Sequence, residues 1–209
     1  MLFRSPNFHN LSLRYQQFEN ALIKGSSKRV TAALPEIKML ENNKNIVDEF
    51  EKIKTDANFK IRITHHDTKI SNVLFDENDK GLCVIDLDTV MPGYFISDVG
   101  DMMRTYLSPA NEEEKDFRKI KVRFHYLVAI IKGYLSEMND ELTEKEKLYF
   151  TYAGKFMIYM QALRFLTDFL NDDIYYGAKY EKHNLVRAKN QLVLLAILIK
   201  KEGLLKLEE

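Results

Sequence analysis

Apolar residues recur at helical spacing at Leu11, Tyr15, Phe18 and Leu22, and Gly25, Ser26 and Ser27 follow, so the chain opens with an amphipathic helix and a glycine stop. A second helical stretch begins near Pro35 and carries Ile46, Val47, Phe50 and Ile53. The Asn-rich ENNKN segment within it predicts a break, giving one or two helices. The period then changes from helical to two. Phe59, Ile61 and Ile63 alternate with Lys60, Arg62 and Thr64, which predicts a strand with one buried face leading directly to His65. Beyond the polar segment HHDTKISN, the apolar runs VLF and LCVID flank the turn-forming DENDKG, so residues 72–86 read as a β-hairpin.

From Asp98 onward the pattern is almost entirely helical. Glu112, Glu113 and Glu114 precede Phe117, Ile120, Phe124, Leu127, Ile131 and Leu135, and the capping-box pair Thr143 and Glu146 predicts the start of another long helix. The aromatic residues of KFMIYMQALRFLTDFL fall at core spacing, and a last helix runs through Leu192 to Ile199 and ends near Gly203. The fold expected is mainly α (α+β): helices around one short β element, in a single domain over 1–209. Its parts are a helical lead-in (1–58), a strand, loop and hairpin (59–97) and a helical subdomain (98–209).

Composition narrows the function classes. The 209 residues carry 31 Lys plus Arg and 31 Asp plus Glu, so no global field recruits nucleic acid or an anionic membrane. The longest apolar run, Leu192 to Ile199, is far short of a membrane span, and the N-terminus has no export-type apolar region. A single cysteine, Cys83, suits a reducing compartment, so a cytoplasmic location is expected.

The chemically dense stretch is THHDTKISNVLF followed by CVIDLDTVMPG. Phosphoryl transfer needs a carboxylate to orient and deprotonate a hydroxyl, and oxygen ligands to hold Mg²⁺ against nucleotide phosphates. Asp67 suits the first task and Asn72 and Asp86 the second, while Lys69 is placed to neutralise charge on the transferred group. Each of the three oxygen-bearing residues also suits a turn or a strand end. Asp88 is a metal or substrate contact if the strand continues past Asp86. His65 and His66 invite a zinc reading, but no third histidine has ligand spacing. Arg164 and Asp168, four apart in an apolar segment, read either as an ion pair or as contacts to substrate hydroxyls. Arg187, with His183 and Asn184, lies before the last helix, as an acceptor-pocket residue or part of a solvated helix start.

His65-x-Asp67-x-x-x-x-Asn72, followed by an apolar strand ending at Asp86, resembles the catalytic core of the aminoglycoside phosphotransferase family, which has a protein-kinase-like fold. The wording HxDTKxxNVLFD, CVIDLDTVMPG and the later D-x-G-D of Asp98, Gly100 and Asp101 is most similar to its N-acetylhexosamine 1-kinase branch, and the likeness extends from about Phe18 to about Leu195. The resemblance implies ATP and Mg²⁺ as co-substrate and cofactor, and a sugar as acceptor, phosphorylated at its anomeric hydroxyl. Asp67 and Lys69 would be catalytic, Asn72, Asp86 and Asp88 would face the metal, and Arg164, Asp168 and Arg187 would line the acceptor side. His65, Asp98 and Asp101 would support the loop. No Gly-rich turn or strand lysine of the family's N-terminal β lobe is recognisable, so the chain resembles the C-terminal lobe and is expected to have little activity without its partner lobe. Two further readings stand beside this one: a non-catalytic sugar-binding or docking module, and a kinase for choline, homoserine or an aminoglycoside.

Overall fold

The computed structural model describes residues 7–205. Asn10 caps α1 (Leu11–Lys24) by accepting from the Leu13 amide, and Leu11, Tyr15, Phe18 and Ala21 form its buried stripe. The stretch beginning near Pro35 forms two helices, as expected, α3 (Leu34–Asn42) and α4 (Asn45–Thr55), and a short unexpected helix, α2 (Ser27–Ala32), precedes them. Ser26 starts α2 by accepting from the Arg29 amide, a cap that apolar spacing alone does not reveal. ENNKN is the break between α3 and α4, where Asn43 Nδ2 donates to the Met39 carbonyl.

The β elements are two antiparallel pairs. β1 (Arg62–Thr64) pairs with β4 (Met91–Gly93), and β2 (Val73–Phe75) with β3 (Gly81–Val84), the hairpin lying within 72–86 as expected. The orientation of β1 corrects the sequence reading. Phe59 is buried but precedes the strand, Ile61 and Ile63 are 65% and 71% exposed, and the buried strand residue is Thr64. Arg62 explains the reversal. Its guanidinium forms a two-pronged pair with the fully buried Glu146 carboxylate at 2.8 and 2.9 Å, and the Lys60 amide adds a third bond at 2.9 Å. Arg62 is thus drawn to the helical body, Thr64 turns inward, and the isoleucines face outward.

After α5 (Ile96–Tyr106) the chain takes an irregular path, with Ile120 and Val122 buried in it. Arg123 turns it back, its amide donating to Leu107 O and its Nη2 to Tyr106 O. Hence α6 (Phe124–Met138) begins at Phe124 and not directly after the glutamate triplet. The capping box forms as expected but opens only the short α7 (Glu144–Lys147), and the long helix α8 (Phe150–Leu170) starts beyond it. The final helix, α9 (His183–Leu205), starts early enough to contain His183, Asn184 and Arg187 and continues past Gly203.

Helix α8 is the centre of the core. Phe156, Tyr159 and Phe165 are wholly buried, with α1, α5 and α9 packed around them. Tyr152 and Tyr159 hydroxyls donate to the carbonyls of Ile46 and Leu40, tying α4 and α3 to it. At Gly100 a Cβ would collide with the Ala153 carbonyl oxygen, so α5 and α8 meet backbone to backbone. Among the described residues, no helix is long and apolar enough to cross a membrane.

Candidate active site

The segment after β1 is held by hydrogen bonds that converge from three elements. Asp98, in the first turn of α5, accepts the amides of His65 and His66 at 2.9 and 2.7 Å, one on each carboxylate oxygen. Thr68 Oγ1 donates to the Asp98 carbonyl, Tyr106 hydroxyl to Thr68 O, and Thr89 Oγ1 to His65 O. The Asp67 amide donates to His65 Nδ1, so Nε2 carries the proton and donates to Ile85 O at 3.1 Å. His65 therefore joins the loop to the chain just before Asp86. Burial raises the pKa of Asp98, while the two loop amides oppose the rise.

This bracing presents Asp67, Lys69 and Asn72 together. Lys69 Nζ reaches Asp67 Oδ2 at 2.6 Å, and Asn72 Nδ2 donates to the same oxygen at 2.9 Å and to Asp67 O at 2.8 Å. Two acceptors on Nδ2 fix the orientation of the buried amide and leave Asn72 Oδ1 as a lone-pair donor. The Ile85 amide donates to Asn72 O, placing Asp86 one residue beyond the amide's own partner. Asp86 adopts a left-handed conformation (φ 61°) and is exposed, and Asp88 is exposed on the following turn, Leu87–Thr89. Asn72 Oδ1 and the Asp86 carboxylate offer hard oxygen ligands of the kind Mg²⁺ takes. Among the described residues, no group of three or more His, Cys, Asp or Glu is placed to hold a metal, so the zinc reading of His65 and His66 has no site.

A cavity of about 500 Å³ opens beside Asp67 and Lys69. Its wall carries Asp101, Arg104, Glu112, Arg164 and Arg187, and neither Asp86 nor Asp88 reaches it. The charges form a chain: Arg104 Nε binds Asp101 at 2.9 Å and its Nη1 binds Glu112 at 3.0 Å, while Arg187 holds the other oxygen of Glu112. Burial raises the Asp101 pKa and Arg104 opposes it. Arg187 lies over the Phe165 ring, 3.7 Å from its centroid.

Arg164 and Asp168 do not form the ion pair allowed by their spacing. Arg164 donates to Gln161 Oε1 and the Tyr175 hydroxyl, at 3.3 and 3.4 Å. Asp168 lies outside the cavity and accepts the amides of Tyr175 and Tyr176 at 2.7 and 2.9 Å and Asn184 Nδ2 at 3.0 Å. Its side chain shapes the α8–α9 loop.

Sequence reasoning missed His9, Arg104 and Glu112. His9 and His66 are buried with their Nδ1 atoms 3.0 Å apart. Thr64 Oγ1 donates to Met91 O and so accepts from His66 Nε2 at 2.7 Å. This leaves His66 Nδ1 to accept a hydrogen bond from His9 Nδ1–H. Both rings are neutral, and burial holds the His9 pKa well below its ordinary value and that of His66 at about 4. The two histidines are 57 positions apart, so no local pattern announces the pair.

The fold and loop together define a mainly helical lobe of the kinase-like class. Residues 7–121, more than half the chain, match the phosphotransferase enzyme family (APH), and the chain belongs to that family. Phosphotransferases of this family generally use ATP and Mg²⁺.

Proposed function

We propose that this chain is the acceptor-binding lobe of an ATP-dependent small-molecule kinase that phosphorylates a sugar hydroxyl, the anomeric hydroxyl of an N-acetylhexosamine being the first candidate. The observation that carries this reading is the grouping of Asp67, Lys69 and Asn72, with Asp67 and Lys69 on the wall of an open polar cavity. Among the described residues, the hydrogen bonds to the Asp67 side chain fall on Oδ2, which leaves Oδ1 to accept the proton of an acceptor hydroxyl. Lys69 keeps two of its three N–H donors for a phosphoryl oxygen. Asn72 and Asp86 would hold Mg²⁺, whose role is to offset phosphate charge, with Asp88 beside them. Asp101, Arg164 and Arg187 line the acceptor side, and His65 and Asp98 fix the loop.

The three segments, 1–58, 59–97 and 98–209, act as one domain in this reading. Completion of the nucleotide seat falls to a β lobe packing on the outward apolar face of the hairpin. Leu74, Phe75, Leu82, Val84, Ile85 and Leu87 are all exposed there. The same face supports the second reading, a docking or sugar-binding module without catalysis of its own.

Calorimetric titration with N-acetylglucosamine, with and without Mg-ATP, separates the two. Nucleotide-coupled sugar binding is expected for the kinase, and binding indifferent to nucleotide would assign the module. Choline, homoserine and an aminoglycoside complete the panel, and preference for any of them displaces the sugar. Asp67→Asn is expected to lower phosphoryl transfer about 10³-fold with an unchanged unfolding midpoint. Retained turnover would remove Asp67 from the base role.

A further inference from the structure

Arg164 is also part of the wall of a second cleft, of about 460 Å³, between α1 and the α8–α9 loop, lined in part by Arg14, Lys24, Asp168 and Tyr175. Its lining carries three cationic side chains to one carboxylate. Arg14 donates to the carbonyls of Asn7 and Phe8 and to Gln17, and Arg164 donates to Gln161 and Tyr175, all of them uncharged acceptors. Among the described residues, no carboxylate pairs with Arg14, Lys24 or Arg164. The carboxylate in the cleft, Asp168, is already matched by three N–H donors. The acids next along the chain, Asp172 and Asp173, are held by Arg29 at 3.1 and 2.6 Å.

Burial, and after it the Arg164 guanidinium, lowers the pKa of Arg14. Like charges held together without a directly paired carboxylate, and outnumbering the one acid in the cleft, form an arrangement that a bound anion relieves. The number of cations suits a dianion better than a carboxylate, and guanidinium groups bind phosphate oxygens in pairs. At the mouth, Tyr175 is 72% exposed and offers a flat face to a ring.

We propose that this cleft binds a phosphate-bearing ligand, held by Arg14 and Arg164 with Lys24 at the rim. The site is separate from the cavity beside Asp67, yet it shares Arg164, Tyr175 and Tyr176 with that cavity, so an occupant touches the acceptor wall from behind. The inference does not depend on the catalytic reading.

Calorimetric titration of inorganic phosphate and of glucose 6-phosphate into the full chain at low ionic strength tests it. Saturable one-to-one binding is expected, abolished by Arg14→Gln and weakened about fivefold by Lys24→Gln. Lys24 is exposed and, among the described residues, its side chain makes no hydrogen bond or ion pair, so its variant keeps the test open if Arg14→Gln does not fold. Lys69→Gln, which alters the catalytic cavity, is expected to leave binding unchanged. Tighter binding of the ester identifies a phosphorylated sugar that uses the Tyr175 ring, and equal binding identifies phosphate alone as the recognised group. Absence of saturable binding, or binding lost in Lys69→Gln and kept in Lys24→Gln, overturns the proposal.

Discussion

The helical body and the β elements treat apolar side chains in opposite ways. On α8, Phe156, Met157, Ile158, Tyr159 and Met160 are consecutive and all buried, because helices pack around almost the whole circumference. Beside and on β1 and on the β2–β3 hairpin, Ile61, Ile63, Leu74, Phe75, Leu82 and Val84 are exposed, because each sheet has only two strands and, among the described residues, no layer covers its outer face. Apolar patterning thus reports which side chains want a partner. It does not report whether this chain supplies one.

The contrast can be broken first at its buried end. Phe156→Ala is expected to cost about 4 kcal/mol by urea unfolding, since it empties the space between α4 and α8 where Phe50 stacks on Phe156. A loss under about 1 kcal/mol would mean that α8 is not the central support.

The junction between the two regions comes next. Asp98→Asn replaces one acceptor oxygen by a donor facing a loop amide, and a loss of about 2 kcal/mol is expected, with faster amide exchange at His65 and His66.

Acid acts through the buried histidine pair, with an effect that grows as the pH falls. His9 and His66 are neutral in the folded chain, with pKa values lowered chiefly by burial, whereas the unfolded chain takes up protons near the ordinary value of 6.5. The unfolded state therefore binds more protons, and stability falls as pH drops from about 6.5 toward 4. Each histidine contributes about 1.4 kcal/mol per pH unit at most. Urea midpoints between pH 7.5 and 5 check this, and His9→Gln should flatten the dependence.

The outward face gives the smallest change. Leu82→Ser is expected to alter stability by less than about 0.5 kcal/mol while lowering the binding of an apolar dye. A large destabilisation would show that this face is already covered.

What could be read from the chain follows the range of the interactions. The loop residues His65, Asp67, Lys69 and Asn72 lie within one short stretch, so their spacing already implies a shared location. α1 and the hairpin were legible because a stop or turn closes each locally. The orientation of β1 was not, since it depends on Arg62 meeting Glu146 from a helix turn 84 positions away. Asp168 was misleading for a related reason. Its partners include two main-chain amides, and a residue-type pattern carries no record of backbone donors. His9, Arg104 and Glu112 reach the cavity only through the packing of helices and loops remote in sequence, and nothing near them marks that destination.

The contact at Gly100 has a consequence for how acceptor preference can change. With no room for even a methyl group against Ala153, α5 and α8 form a single stiff unit, and the gap between Asp101 on one helix and Gln161 and Arg164 on the other keeps a set width. On the kinase reading proposed above, molecules that differ in girth would be sorted by that fixed gauge, and altering the preference would call for trimming or lengthening the side chains along it, with the two helices left where they are.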